Sequence, residues 1–133
     1  MTTSSAILVV EDDEPLREVF CRSLQRAGFE VVTAPDGNEA LAACRKGGIG
    51  LVLTDIMMPK LNGFELIRAL KSEAPLTPVI AISASGIKDV PDFRNRAVEL
   101  GAKLAVRKPV NPHALVRLVR DFLAADHASL AVH

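Results

Sequence analysis

An α/β fold with a parallel sheet covered by helices on both faces is predicted by three observations. Short apolar runs alternate five times with helical stretches along the chain. The runs are almost continuously apolar, which suits strands buried on both sides rather than strands with one wet face. Each run stops abruptly, and the chain turns polar there. The stretch Leu51-Val52-Leu53-Thr54-Asp55-Ile56-Met57-Met58-Pro59 shows this best, since a carboxylate closes the run and Pro59 forbids its continuation.

The elements follow in order. Ala6 to Val10 is the first strand, halted by Glu11-Asp12-Asp13-Glu14-Pro15. Asp13 or Glu14 before Pro15 marks a helix start. Leu16, Val19, Phe20, Leu24 and Ala27 recur at helical spacing, and Gly28 ends that helix. The cap uses one or two of the four acids and leaves Glu11-Asp12 at the strand end without a local explanation. Glu30 to Ala34 is the second strand, and Pro35-Asp36-Gly37-Asn38 is turn chemistry. Glu39 to Lys46 is a short helix, with Ala40, Leu41 and Cys44 inward. After the Asp55 strand, Lys60-Leu61-Asn62-Gly63 turns the chain into a helix from Phe64 to Lys71 that buries Phe64, Ile67 and Leu70. Val79 to Ile82 is the fourth strand and ends at Ser83. A longer loop, 84–91, leads to a helix from about Asp92 to Leu100. Lys103 to Val106 is the fifth strand, broken by Arg107-Lys108-Pro109. The last amphipathic helix starts at Asn111-Pro112 and carries Leu115, Leu118, Val119 and Phe122.

Composition narrows the function. The chain has 133 residues, enough for one domain with a real core. Its formal net charge is zero, so no bulk field calls for nucleic acid or a membrane. Cys21 and Cys44 stand on separate helices without metal-ligand spacing and read as free thiols of a cytoplasmic protein. The first residues lack the pattern of a signal peptide.

The strand ends then combine. In a parallel sheet they share one rim, where α/β proteins bind ligands. That rim carries Glu11, Asp12, Asp55, Ser83 and Lys108. Singly, each has an ordinary use: a solvated turn, a helix cap, a surface lysine. Together they form a kit. Clustered acidic oxygens suit a hard, partly hydrated cation such as Mg2+. An ammonium and a hydroxyl suit a phosphoryl group, which the Asp55 carboxylate can attack in line. No glycine-rich phosphate loop follows the first strand, which argues against a nucleotide or flavin binder.

From Ile7 to Phe122 the chain resembles a response-regulator receiver domain of two-component signalling, of the single-domain, chemotaxis-regulator type. The matching motifs are Val9-Val10-Glu11-Asp12-Asp13, Thr54-Asp55-Ile56-Met57-Met58-Pro59 with Asn62-Gly63, Ser83-Ala84, and Lys108-Pro109. The resemblance implies a flavodoxin-like, doubly wound sheet of strand order 2-1-3-4-5. The chain shows no internal repeat or linker and reads as one domain over residues 1–125, with a small, polar tail over 126–133 expected to fray. The resemblance also implies that Asp55 takes phosphate from a phosphohistidine on a sensor kinase or phosphotransfer protein. By the same match Asp12, Asp55 and the Met57 carbonyl hold Mg2+, Glu11 acts through water, and Ser83 and Lys108 contact the phosphoryl oxygens. A monomer or weak homodimer is expected, with no membrane contact and no direct DNA binding, because no DNA-binding domain follows the last helix. Output then passes through a protein partner, unless the chain is a piece of a longer protein. Two departures bear on the switch: Ala105 stands where relatives often have an aromatic residue, and the loop after Ser83 is longer than usual. Two other classes remain open, a Mg2+-dependent aspartyl-phosphate phosphatase and a pseudo-receiver used only as a scaffold.

Overall fold

A computed structural model describes residues 5–56, 62–83, 93–107 and 111–131, with backbone alone at 83, 93, 94 and 126–131. The strands are β1 (Ala6–Val10), β2 (Val31–Ala34), β3 (Ile49–Asp55), β4 (Val79–Ser83) and β5 (Leu104–Arg107). The helices are α1 (Glu14–Arg26), α2 (Gly37–Lys46), α3 (Gly63–Glu73), α4 (Phe93–Leu100) and α5 (Pro112–Ala131). All strand pairs are parallel, in the order β2-β1-β3-β4-β5, as the family resemblance implied.

Alternation along the strands splits the core into two layers. Leu8, Val10, Val52, Val79 and Ala81 pack with Ala40 and Leu41 of α2, Leu66, Ile67 and Leu70 of α3, and Ala97 of α4. Ile7, Val9, Leu51, Leu53, Ile80 and Ile82 pack with Phe20 and Leu24 of α1 and with Leu115 and Val119 of α5. A parallel sheet needs both covers, and the sequence supplies an apolar residue at nearly every central position.

Helix starts follow a common rule in this chain. Asp13 accepts from the Leu16 N–H at 3.0 Å, Asp36 from Glu39 at 2.9 Å, Asn62 from Glu65 at 3.0 Å and Asn111 from Ala114 at 2.8 Å. Each cap satisfies an N–H that the first turn leaves without a partner. Because Asp36 caps, α2 begins at Gly37 rather than at Glu39, and the Gly37-Asn38 pair is helix rather than turn. In α3 the fully buried positions are Leu66, Ile67 and Leu70, while Phe64 is only half-buried at the margin of its layer. β3 starts at Ile49, ahead of the apolar run proper, and α5 continues past Phe122 to Ala131. Among the described residues no helix is long and apolar enough to cross a membrane.

Candidate functional site: an acidic rim at the ends of β1 and β3

Register brings the acids together. Val10 lies opposite Thr54, so the next residues, Glu11 and Asp55, are level at the end of the sheet. Asp12 follows on the turn into α1. One carboxylate oxygen from each of Glu11, Asp12 and Asp55 lies within 4.8 Å of the others. Glu11 is 3% exposed and Asp55 7% exposed, whereas Asp12 is open to solvent. Two buried acids and one exposed acid make a site with a closed floor and an open mouth.

The floor is apolar. Val9, Phe20, Leu53 and Ile82 close a space of about 10 Å³ beneath Glu11 and Asp55, room for one water at most. A much larger groove, about 740 Å³, runs between α1 and α5 past Val19, Arg26, Val116, Arg117 and Arg120, and none of the three acids lines it.

The backbone under the acids is well tied. The Glu11 N–H donates to the Ala34 carbonyl at 3.1 Å, and the Asp13 N–H donates to Glu11 Oε2 at 3.3 Å. Arg17 Nη1 donates to the Glu11 carbonyl at 2.9 Å. On the other strand, the Thr54 hydroxyl donates to the Asp55 carbonyl at 2.9 Å, and the Ile56 N–H extends the ladder to the Ile82 carbonyl at 3.0 Å. The Gly63 N–H then donates to the Ile56 carbonyl at 2.8 Å, bringing the start of α3 against the strand end. A Cβ at position 63 would lie 2.4 Å from the Asp55 carbonyl oxygen and 2.5 Å from the Ile56 Cα, so glycine is required for that approach.

Of the residues the sequence singles out, the structure brings Glu11, Asp12 and Asp55 together. Ser83 closes β4 one step beyond Ile82, the partner of Asp55, and pairs with Arg107, so Lys108 comes next in the chain after that pair. Met57, Lys108, the 84–91 loop and the Ser83 side chain lie outside what the structure describes. One contributor was missed in the sequence. Arg17 carries no signal beyond its place one turn into α1. The sequence marks Gly63 as a turn residue and as part of the Asn62-Gly63 motif, and the structure adds that its small size is what lets α3 approach. The donor set is all oxygen, and it fits a hard cation rather than a thiophilic one.

Comparison with known proteins agrees with this geometry. Residues 7–120 match the family model described as the response regulator receiver domain. The chain is 41% identical over 117 residues to the probable transcriptional regulator ycf27 of Cyanophora paradoxa, covering 88% of this chain and 47% of that protein. It thus spans about half the length of the curated relatives it matches. Among solved structures, the chemotaxis protein CheY4 of Vibrio cholerae superposes with a TM-score of 0.79 at 30% identity, covering 89% of this chain and 98% of that one. A response regulator receiver domain protein from Clostridium thermocellum gives a TM-score of 0.82 at 28% identity, with 93% and 98% covered. The chain belongs to the response regulator receiver domains of two-component signal transduction.

Proposed function

We propose that this domain is a phosphoacceptor switch in which Asp55 receives a phosphoryl group from a phosphohistidine of a sensor kinase or phosphotransfer protein. The observation that supports it most is the convergence of Glu11, Asp12 and Asp55 on one open rim. In the transfer, an Asp55 carboxylate oxygen bonds to phosphorus while the P–N bond to imidazole breaks. The imidazole leaves with the electron pair. Bound Mg2+ would supply charge neutralisation for the phosphoryl oxygens. Asp12, Asp55 and the Met57 carbonyl are the proposed ligands, with Glu11 acting through water. Ser83 and Lys108 are the proposed contacts to the phosphoryl oxygens.

The protein's share of the chemistry is positioning. Asp55 stands on a strand paired on both sides, so its carboxylate is aimed before the donor arrives. The exposed mouth admits a protein-borne donor. With zero net charge, the domain is suited to pass its state on through protein contacts rather than through direct DNA binding. The longer relatives named as transcriptional regulators carry additional chain, and what that chain does belongs to them.

Labelling with acetyl phosphate and Mg2+ tests the proposal. A stable, acid-resistant and base-labile label on the parent, absent from Asp55→Asn, is expected. Equal labelling of the variant would reject Asp55 as acceptor. Rapid turnover of the label would instead favour a phosphatase, and no label at all a scaffold.

A further inference from the structure

Arg17 is one turn into α1, half-buried, and its guanidinium makes no ion pair among the described residues. Glu11, Asp12, Asp13, Glu14 and Glu18 flank it in the sequence, so a carboxylate would be its ordinary partner. Instead Nη1 donates to the main-chain carbonyl of Glu11 at 2.9 Å. That carbonyl and the N–H of Asp12 belong to one rigid peptide plane. Holding the oxygen therefore holds the plane, and with it the direction in which the Asp12 side chain leaves the backbone. Asp12 is exposed, whereas Glu11 and Asp55 are buried.

The rest of the turn is closed by other bonds. Glu11 is tied through its N–H to Ala34, and Asp13 is tied through its N–H to Glu11 Oε2. The Asp13 carboxylate caps Leu16, and the Arg17 N–H returns to the Asp13 carbonyl at 2.9 Å. The Glu11-Asp12 peptide lies between these ties, and Arg17 reaches it from the helix.

We propose that Arg17 is a positioning residue for cation binding at the rim: it clamps the Glu11-Asp12 peptide so that the Asp12 carboxylate points at the site. This takes as given that the three acids hold a divalent cation. The clamp and the bare charge of Arg17 predict opposite effects. A positive charge beside a cation site weakens binding, so removing it should tighten binding. Removing a clamp should loosen the site.

Titration of the whole, metal-free chain with Mn2+, followed by calorimetry, distinguishes the two. Arg17→Met keeps the aliphatic stem and deletes both donor and charge. It is expected to weaken Mn2+ binding by about tenfold, the low end for a group acting behind a ligand. Arg17→Lys keeps the charge and one donor and should recover part of the loss. Acetyl phosphate labelling of Arg17→Met should return to the parent's maximum at saturating Mg2+, because only the metal requirement has risen. Should Arg17→Met fail to fold, Arg17→Leu, which also lacks donor and charge, carries the same comparison. Binding by the Met variant as tight as the parent's, or tighter, would overturn the clamp; so would a lowered labelling maximum at saturating Mg2+. A parent that binds no divalent ion would instead defeat the proposed cation site itself, and the clamp with it.

Discussion

β3 and β5 run to the same rim but are held very differently. The last five residues of β3, Leu51 to Asp55, are all buried, and the strand is paired on both sides. β5 has four residues, none fully buried, and lies at the sheet edge against β4 alone. The proposed acceptor thus stands on a buried strand of the sheet interior. The proposed phosphoryl-binding lysine follows in sequence from an edge strand whose residues are half-buried or exposed. Chemistry by positioning needs the first.

Core truncation gives the largest test of that contrast. Leu53→Ala removes a side chain that is 2% exposed and packed against both α1 and α5. A cost of about 2–5 kcal/mol is expected. Leu104→Ala in β5 removes a half-buried side chain and should cost about 1–2 kcal/mol. Urea melts measure both, and an equal or larger loss at Leu104 would remove the contrast.

Gly63→Ala probes the same side of the site from the helix. Its new Cβ meets backbone, not a side chain that can swing away. Either α3 or the end of β3 must shift, at about 1–3 kcal/mol. Since the clash is with the Asp55 carbonyl, slower acetyl phosphate labelling should accompany the loss of stability. A stable variant with unchanged labelling would show that the close approach of α3 does not aim Asp55.

Much of this was legible in the sequence, for physical reasons that differ by residue. Burial on both faces writes itself as unbroken apolar runs, so β1, β3 and β4 could be read directly, with the acids that end β1 and β3. Asp55 was found because a charge that closes a buried strand is costly without a purpose. The α2 start was misplaced because Gly37 and Asn38 are poor helix formers, and the Asp36 cap overrides that weakness. Phe64, Ile67 and Leu70 share a helical spacing, but the buried stripe of α3 runs through Leu66, Ile67 and Leu70 and leaves Phe64 half-buried. Arg17 could not have been found, since its partner is a main-chain carbonyl and any residue would provide one.

The switch offers a subtler test. Ala105 sits in the middle of β5 opposite Ala81, with no ring to turn inward when the site is modified. A hydrogen bond from the Ser83 hydroxyl to a phosphoryl oxygen would be worth about 1.5–3 kcal/mol, enough to bias a loop but not to refold a helix. Beryllofluoride should therefore change amide exchange in segment 84–91 more than in 104–107. Changes confined to 104–107 would reverse the assignment and make the edge strand the moving part.

The smallest effect lies on the surface of the stiff half. Arg45 of α2 meets Glu73 of α3 through two bonds, Nε to Oε1 at 2.8 Å and Nη2 to Oε2 at 3.0 Å. The hydrogen bond from Arg45 holds the Glu73 carboxyl below its ordinary range. Both side chains are exposed, so solvent screens the pair and its contribution is small. The sign is nonetheless fixed. A carboxyl depressed in the folded state stabilises the fold above its unfolded pKa, and that stability is lost as pH falls through the folded value. Arg45→Met should therefore lower the melting temperature slightly at neutral pH. The deficit should fade once the medium is acid enough to protonate Glu73 in both states, and it should shrink in high salt. If the deficit is constant across pH and salt, it does not arise from the charge of the pair. Rigidity on the acceptor side would then come from packing alone, from the surface of α2 and α3 down to β3.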